Sequence, residues 1–537
     1  MSDQLLETAS RHPWSISTAA DKLWIGFLEN AVRGGWGPAV SLAQKAILST
    51  FRRIAVGRLT VVAANGDVHI FPQNASNEST QGPNAHLRVR NDSFWIRLCL
   101  MGDLGFSEAY MFGDVDCEDL VALFKVFIAN KDHLSNMDSK FSYLFRLPQK
   151  ITSYRFLNTI SNARGNVSAH YDLSNDMFYA FLGEDMTYSC AIFDKLDADL
   201  VGNTRHASNN VPEDMNIAHL STPSLVQKDK SGLRGDEGLK DELHDAQLRK
   251  VDHIIQKLHI PFDRPSRILE IGSGWGTMAI RIAEMYPLAT VDTITLSVQQ
   301  QALIKERLDA HATSVADRIS VHLTDYRSMP LEWKGSFDRV VSVELIENVG
   351  YEFMGTYWGV VDWALKDTEA AGVVQCITLP EARLERYLNE VDFIRKWVLF
   401  PGGSLPTLSL LTSTINTGSK GRLVVDSVSN VGPHYARTLR EWRSRFEDNF
   451  EIVIKTSLQK EYPTVMGGCK GSICECQGNQ GECAESVKSE KEMEVFRRKW
   501  LYYFCYSEAG FTTRTLGDHI ITFTREGFEG YGCNVYM

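Results

Sequence analysis

The sequence predicts an α/β protein in which a doubly wound parallel sheet follows a small α+β domain. Three observations lead there. From residue 267 onward, strand-like and helix-like segments alternate. A glycine-rich turn, Gly272-Ser-Gly-Trp-Gly276, sits where the first of those strands should run into a helix. Ahead of them, two apolar runs flank Asn65-Gly66 in RLTVVAANGDVHIF, a strong hairpin signal.

In the C-terminal part, RILEI, ATVDTITL, ISVHL, FDRVVSV and VVQCITL read as strands. Alternation of this kind places helices on both faces of a parallel sheet. FRRKWLYYFCYSEAGF reads as a late helix, starting near 495, before a last strand, HIITFTR. LHDAQLRKVDHIIQKL carries apolar residues at helical spacing, with Leu248, Val251, Ile254, Ile255 and Leu258 on one stripe. In the N-terminal part HLRVR reads as a further strand. FWIRLCLMGDLGFSEAYMFGD reads as a helix broken by glycines, and LVALFKVFIAN as another helix.

A chain of 537 residues exceeds a single core. Residues 1–57 read as amphipathic helices, with Trp14, Trp24 and Trp36 among charges. Residues 58–135 form the small α+β domain and 136–165 a basic linker. Residues 166–537 are the main domain, with polar inserts near 200–240 and 467–492. Seven basic and four acidic side chains fall in 1–60, a net of +3. That stretch is read either as a helical cap on the next domain or as a helix on a lipid surface. Residues 139–165 carry Lys140, Arg146, Lys150, Arg155 and Arg164 and no acid. They read as a solvated linker or as a face for anionic headgroups.

A formal charge of −11 argues against nucleic acid as a partner. No apolar run approaches the ~18 residues of a membrane span. The first residues lack the basic-then-apolar layout of a secretory signal. A cytoplasmic chain in peripheral contact with an anionic membrane surface is therefore expected. Of ten cysteines, Cys469, Cys474, Cys476 and Cys483 cluster as C-x4-C-x-C-x6-C. Four thiolates can hold zinc, but this spacing matches no recognised knuckle, so no metal is expected.

In LEIGSGWG the backbone can pass close to a ligand, and the following helix start offers free N–H groups. Nucleotide and nicotinamide sites use similar turns. Here the spacing is G-x-G-x-G, not G-x-G-x-x-G. The second strand ends in Thr295, not in an acid able to grip a ribose, and Asp292 lies earlier in it. Glu270 stands just before the turn. It reads as a partner for the cationic end of a methionine moiety, or as a cap or salt bridge within the fold.

Six ordered blocks resemble the cyclopropane fatty acid synthase and mycolic acid cyclopropane synthase family. They are Ser168–Phe178 with Met186–Cys190, LEIGSGWG, Thr293–Ser297, Phe337–Gly350, Phe400–Pro406 and Pro433–Leu439. They span about 165–525, and the 58–130 segment resembles the N-terminal domain of the longer synthases. The resemblance implies a class I methyltransferase (Rossmann-like) sheet and S-adenosylmethionine as cofactor. It places Tyr188, Ser189, Gly272, Ser273, Gly274, Trp275, Gly276, Thr295, Gln300, Asp325 and Tyr326 around that cofactor, beside Glu270. It also implies a bicarbonate ion held by Cys190, Glu347, Gln375, Ile377 and Tyr435. Two residues depart from the pattern: the usual Glu-His-Val-Gly is Glu347-Asn348-Val349-Gly350, and Gln375 replaces a histidine. An amide can bind an anion but cannot gain a charge.

The implied activity adds a methylene to the cis double bond of an unsaturated phospholipid acyl chain, closing a cyclopropane ring. Two other readings stay open: a lipid C-methyltransferase giving a methyl-branched chain or sphingoid base, and a non-catalytic lipid-binding protein. Such chemistry needs a dry site that tolerates a carbocation and offers a base. Glu347 can orient the bicarbonate, act alone as base, or face a helix dipole. Tyr171, Phe178, Phe181, Tyr188 and Phe400 are candidates to face the cation, or to pack the core. Cys190 has no histidine at a recognisable spacing and is not read as a nucleophile. Whether the chain forms a homodimer is left open.

Overall fold

The structure is a computed structural model that describes residues 37–73, 82–134, 175–203, 241–312, 314–390, 392–398, 403–463, 465–467 and 484–531. Outside them lie residues 1–36, the basic stretch 136–165, Tyr171, Phe400, most of the insert at 200–240 and the four clustered cysteines.

The main sheet contains β5 (Ser266–Ile271), β6 (Ala289–Thr295), β7 (Ile319–Leu323), β8 (Arg339–Val343), β9 (Ala371–Thr378), β10 (Leu423–Asn430) and β11 (Gly517–Arg525). Their order is β10-β11-β9-β8-β5-β6-β7. The pairs β5–β6, β5–β8, β6–β7 and β8–β9 are parallel, and β11 runs antiparallel to both neighbours. The order reverses around β5, so the ends of β5, β6 and β8 open a crevice where ligands of such sheets bind. Strands β5, β8 and β9 are covered on both faces, which explains their unbroken apolar sequences.

Sequence reading missed β10. Its residues alternate between covered and exposed, and Val424 and Val428 face outward. An edge strand with a polar face lacks the continuous apolar run that marks its neighbours.

The smaller sheet has the order β2-β1-β3-β4, from β1 (Arg58–Val62), β2 (Val68–Phe71), β3 (Asn84–Val89) and β4 (Val115–Cys117). The Asn65-Gly66 hairpin forms between β1 and β2. Against this sheet lie α1 (Gly37–Phe51), α2 (Ser93–Met111) and α3 (Leu120–Ala129). Gly102, at φ +56°, kinks α2 where the sequence reading breaks it.

Around the main sheet lie α4 (Asn175–Leu182), α5 (Glu242–Lys257), α6 (Thr277–Met285), α7 (Val298–His311), α8 (Met354–Ala364), α9 (Leu408–Gly418), α10 (Gly432–Asp448) and α11 (Ala484–Thr512). The last helix begins well before the expected point near 495. The stretch 484–492 is therefore helix, not part of a polar insert. Its charged residues, among them Glu485, Lys488 and Lys491, hide its helical period in the sequence. Among the described residues no helix is long and apolar enough to cross a membrane.

Helix α11 serves two cores at once. Phe496, Trp500, Leu501 and Phe504 join the main core, while Val495, Tyr502, Cys505 and Ala509 join the core under the small sheet. Arg498 bridges the same junction, donating to the Tyr110 and Val115 carbonyls and pairing with Asp116. Tyr502 is ringed by Phe106, Phe124 and Phe393, with the Phe393 ring 4.4 Å away between centroids. Tyr502→Ala should cost about 3–5 kcal/mol, the usual loss for a buried aromatic. Denaturant melts followed by fluorescence check this; an unchanged midpoint would show that the helix is not the shared wall.

Candidate active site

Strand β5 delivers Glu270 and the glycine turn to the carboxyl edge of the sheet. Gly272, Gly274 and Gly276 all have positive φ, at 98°, 50° and 91°. At Gly272 the positive φ favours glycine, and a Cβ there would press on the Leu345 side chain, 2.7 Å from Cδ1. One pocket opens over this turn. Its wall includes Tyr188, Ser189, Glu270, Gly272, Ser273, Gly274, Trp275, Thr295, Gln300, Asp325 and Tyr326. Gly276 is absent from that wall, in contrast to expectation. It caps α6 and packs against Ile304, where a Cβ would meet side-chain carbon at 3.0 Å. Its positive φ and the closeness of Ile304 account for the glycine through the turn.

Hydrogen bonds fix the pocket rim. Thr295 Oγ1 donates to Gln300 Oε1 at 2.7 Å, and Thr293 Oγ1 donates to Ser273 Oγ at 2.7 Å. Asp325 is clasped by its own neighbour, accepting from Arg327 Nε at 2.9 Å and Nη2 at 2.7 Å. The Trp275 indole donates to Asn175 Oδ1 at 3.1 Å.

Glu270 is 4% exposed, and one carboxylate oxygen has no hydrogen-bond partner. Burial pushes its pKa from an ordinary 4.5 up to about 8. A buried carboxylate oxygen without a partner is costly unless a ligand completes it. The ammonium of a methionine moiety would do so. The residues present thus fit S-adenosylmethionine, with Glu270 toward the amino acid end and the glycine turn beneath it.

Beyond Glu270 the pocket reaches Glu344, which directly follows β8 and which sequence reasoning did not single out. Its backbone has φ +47°, a conformation that side chains other than glycine rarely adopt. Three donors converge on its carboxylate. Cys190 N donates to Oε1 at 2.8 Å, Gln375 Nε2 to Oε1 at 3.0 Å, and Tyr435 Oη to Oε2 at 2.6 Å. Gln375 Nε2 also donates to Asp518 Oδ2 at 2.7 Å. Lys250, 1% exposed, lines the same pocket and donates to Ser189 Oγ. A positive φ on a bulky residue at a strand end was the missing signal, and φ is not written in the sequence.

Glu347, unlike Glu344, is not part of the pocket wall. Its Oε1 accepts from Ile377 N at 2.5 Å, and its Oε2 is buried without a partner. Burial, followed by the charge of Glu344, pushes its pKa up to about 8. Burial likewise raises Asp518, with Glu344 adding to it. The Cys190 thiol is fully buried and raised well above its ordinary value, first by burial, so it is no nucleophile.

The five residues that the resemblance assigns to bicarbonate do come together. However, the Cys190 amide, the Gln375 amide and the Tyr435 hydroxyl are all spent on Glu344, and the Ile377 amide is spent on Glu347. The residues present do not fit an additional bicarbonate at this point. Of the aromatic candidates, Tyr188 lines the pocket, whereas Phe178 and Phe181 are 0% exposed and pack in the core against Trp275, Trp442 and Trp500.

Sheet order, glycine turn and pocket define an S-adenosylmethionine-dependent methyltransferase of the class I fold. The fold is shared with the crystal structure of coclaurine N-methyltransferase bound to N-methylheliamine and SAH, at a TM-score of 0.50 and 14% identity over 78% of this chain and 98% of that one. The sequence model of the mycolic acid cyclopropane synthetase family matches residues 159–216 and 237–473, and the chain belongs to this family. It is 30% identical over 438 residues to the tuberculostearic acid methyltransferase of Mycobacterium tuberculosis, covering 82% of each chain. It is 29% identical over 365 residues to the cyclopropane-fatty-acyl-phospholipid synthase of Escherichia coli, covering 67% of this chain and 76% of the other. The protein is thus an enzyme of S-adenosylmethionine-dependent lipid modification.

Glu270→Gln should have two opposite effects. Affinity for S-adenosylmethionine by isothermal titration should fall about tenfold or more, roughly 1.4 kcal/mol. Stability should change the other way. A carboxyl whose pKa is raised on folding binds its proton more tightly in the folded state, so the ligand-free protein loses stability as pH climbs from 4.5 to about 8. The variant should flatten that decline in melts taken across the window. Wild-type affinity in the variant would remove Glu270 from the binding site.

Proposed function

We propose that the protein transfers a one-carbon unit from S-adenosylmethionine to the cis double bond of an unsaturated phospholipid acyl chain, forming a cyclopropane ring. One observation carries this reading: a single pocket runs from the glycine turn to the carboxylate of Glu344. S-Adenosylmethionine, when bound, supplies an electrophilic methyl group on a sulfonium.

The rest of the work falls to the chain. An isolated alkene is a weak nucleophile, and its alkylation leaves a carbocation on the acyl chain. Met186, Val251, Met278, Val343, Leu345 and Val349 give the pocket an apolar wall that limits water. The Tyr188 ring lies at the wall, where an aromatic face is worth about 0.5–2 kcal/mol to a cation. Its hydroxyl is tied to Tyr503 at 3.0 Å, which fixes the ring. The proton that leaves the new methyl group passes to the carboxylate cluster at the pocket end, and the released electron pair closes the ring.

A methyl-branched product is the second reading. It is favoured by the match to the tuberculostearic acid methyltransferase, which extends over more of this chain than the match to the cyclopropane synthase. The two outcomes differ in which proton leaves. Lipid mass spectrometry after expression in a host with unsaturated phospholipids separates them. A cyclopropane appears as a gain of one CH2 with loss of the olefin. A product that keeps a double bond supports the branched route, and unchanged lipids overturn both.

Contact with an anionic membrane face is part of the proposal, and its support is the basic run 139–165. Charge reversal at Arg146, Lys150 and Arg155 should weaken co-sedimentation with phosphatidylglycerol vesicles. Unchanged binding returns the stretch to a plain linker.

A further inference from the structure

We infer that Glu344 takes the place that the resemblance gives to bicarbonate, so that this chain carries its own proton acceptor and works without the ion. The inference rests on the alkylation reading above. Four observations support it.

The first is geometric. An anion held by Cys190, Gln375 and Tyr435 would need their donors, and each of these groups donates to Glu344. A carboxylate offers the same pair of oxygens as bicarbonate. Here it is covalently attached and needs no binding equilibrium.

The second is location. Glu344 is on the wall of the pocket that holds Glu270 and the glycine turn, whereas Glu347 and Gln375 are not. A group that receives a proton from the substrate must be reachable from the substrate. Glu344 meets that condition.

The third is charge. Glu344, Glu347 and Asp518 interact with one another, and Lys250 is the cation acting on Glu344 and Asp518. Three hydrogen bonds from Cys190, Gln375 and Tyr435 favour the negative charge on Glu344. A further anion beside these acids would meet their repulsion.

The fourth is strain. At φ +47° glycine would be the relaxed choice, and a glutamate there costs about 1–3 kcal/mol. Keeping a carboxylate in such a conformation, aimed at three donors, is consistent with a chemical duty rather than a packing one.

The step balances simply. A C–H bond of the methyl group newly joined to the acyl chain breaks. Its electron pair forms the third side of the ring, and the proton passes to Glu344 Oε2 beside the Tyr435 hydroxyl. In the branched route the proton leaves from a neighbouring carbon, and the pair becomes a double bond. Release of the proton to solvent restores the carboxylate.

The test compares wild type with Glu344→Gly and Glu344→Gln in buffer stripped of carbon dioxide, with and without added bicarbonate. Wild-type turnover should be indifferent to the ion. Glu344→Gln should lose on the order of 100-fold or more in kcat, with S-adenosylmethionine affinity within about threefold of wild type. Glu344→Gly relieves the backbone and vacates the anion position, so it should be inactive when stripped and regain turnover with bicarbonate. Wild-type dependence on bicarbonate, or full turnover of Glu344→Gln, overturns the assignment.

A second readout does not need turnover. Line broadening of isotopically labelled bicarbonate in NMR should appear with Glu344→Gly and not with wild type. Broadening by wild type that Tyr435→Phe abolishes overturns the inference. Absence of lipid alkylation in every buffer sinks the functional reading instead, and the binding measurement still decides the place of Glu344. Should Glu344→Gly fail to fold, the isosteric Glu344→Gln and the stripped wild type carry the test.

Discussion

The central constraint is the placing of carboxylates away from water. Glu270, Glu344, Glu347 and Asp518 all lie at the carboxyl edge of one sheet, and burial is the largest influence raising each of them. Such groups persist only where donors or ligands compensate for lost water. The surrounding structure supplies those donors. Strand β9 brings Gln375 and the Ile377 amide, α10 brings Tyr435, and the segment after α4 brings the Cys190 amide, while α5 adds the charge of Lys250. Four stretches far apart in sequence are thereby held to one geometry.

The same constraint divides the pocket by function. At one end Glu270 has an oxygen that no protein group completes, which suits a cationic ligand that comes and goes. At the other end Glu344 is fully engaged, which suits a group that must keep its position through each turnover. Between them the wall is largely apolar, and the chemistry of an alkene requires that. Helix α11 stabilises this arrangement indirectly. Its Tyr503 hydroxyl ties Tyr188 to the pocket wall, and its opposite face is locked by the small sheet. Among the described residues, the small domain thus braces the site without lining it.

How far the sequence went is best seen residue by residue. The glycine turn was legible because G-x-G-x-G after an apolar strand has few structural uses, and Glu270 followed from its place beside that turn. The parallel strands were legible because strands covered on both faces write continuous apolar runs. Edge strand β10 and the start of α11 were not, since solvated faces dilute the period. Resemblance brought Cys190, Gln375, Ile377 and Tyr435 into one list, and the structure brings them into one cluster. Their donors go to two carboxylates of the protein, Glu344 and Glu347, and a list of ligands could not reveal that.

The sequence by itself determined the fold class, the cofactor turn and the residue types at the reacting end. These depend on local periodicity, turn chemistry and short motifs, all of which operate within a few residues. Only the tertiary structure decided which carboxylate faces the pocket, that Glu344 receives the donors, and that Gly276 packs against Ile304. Those outcomes depend on backbone φ and on contacts between strands and helices some 90 to 150 residues apart, as with Tyr435 and Cys190 around Glu344. Such contacts come into being only when the sheet assembles.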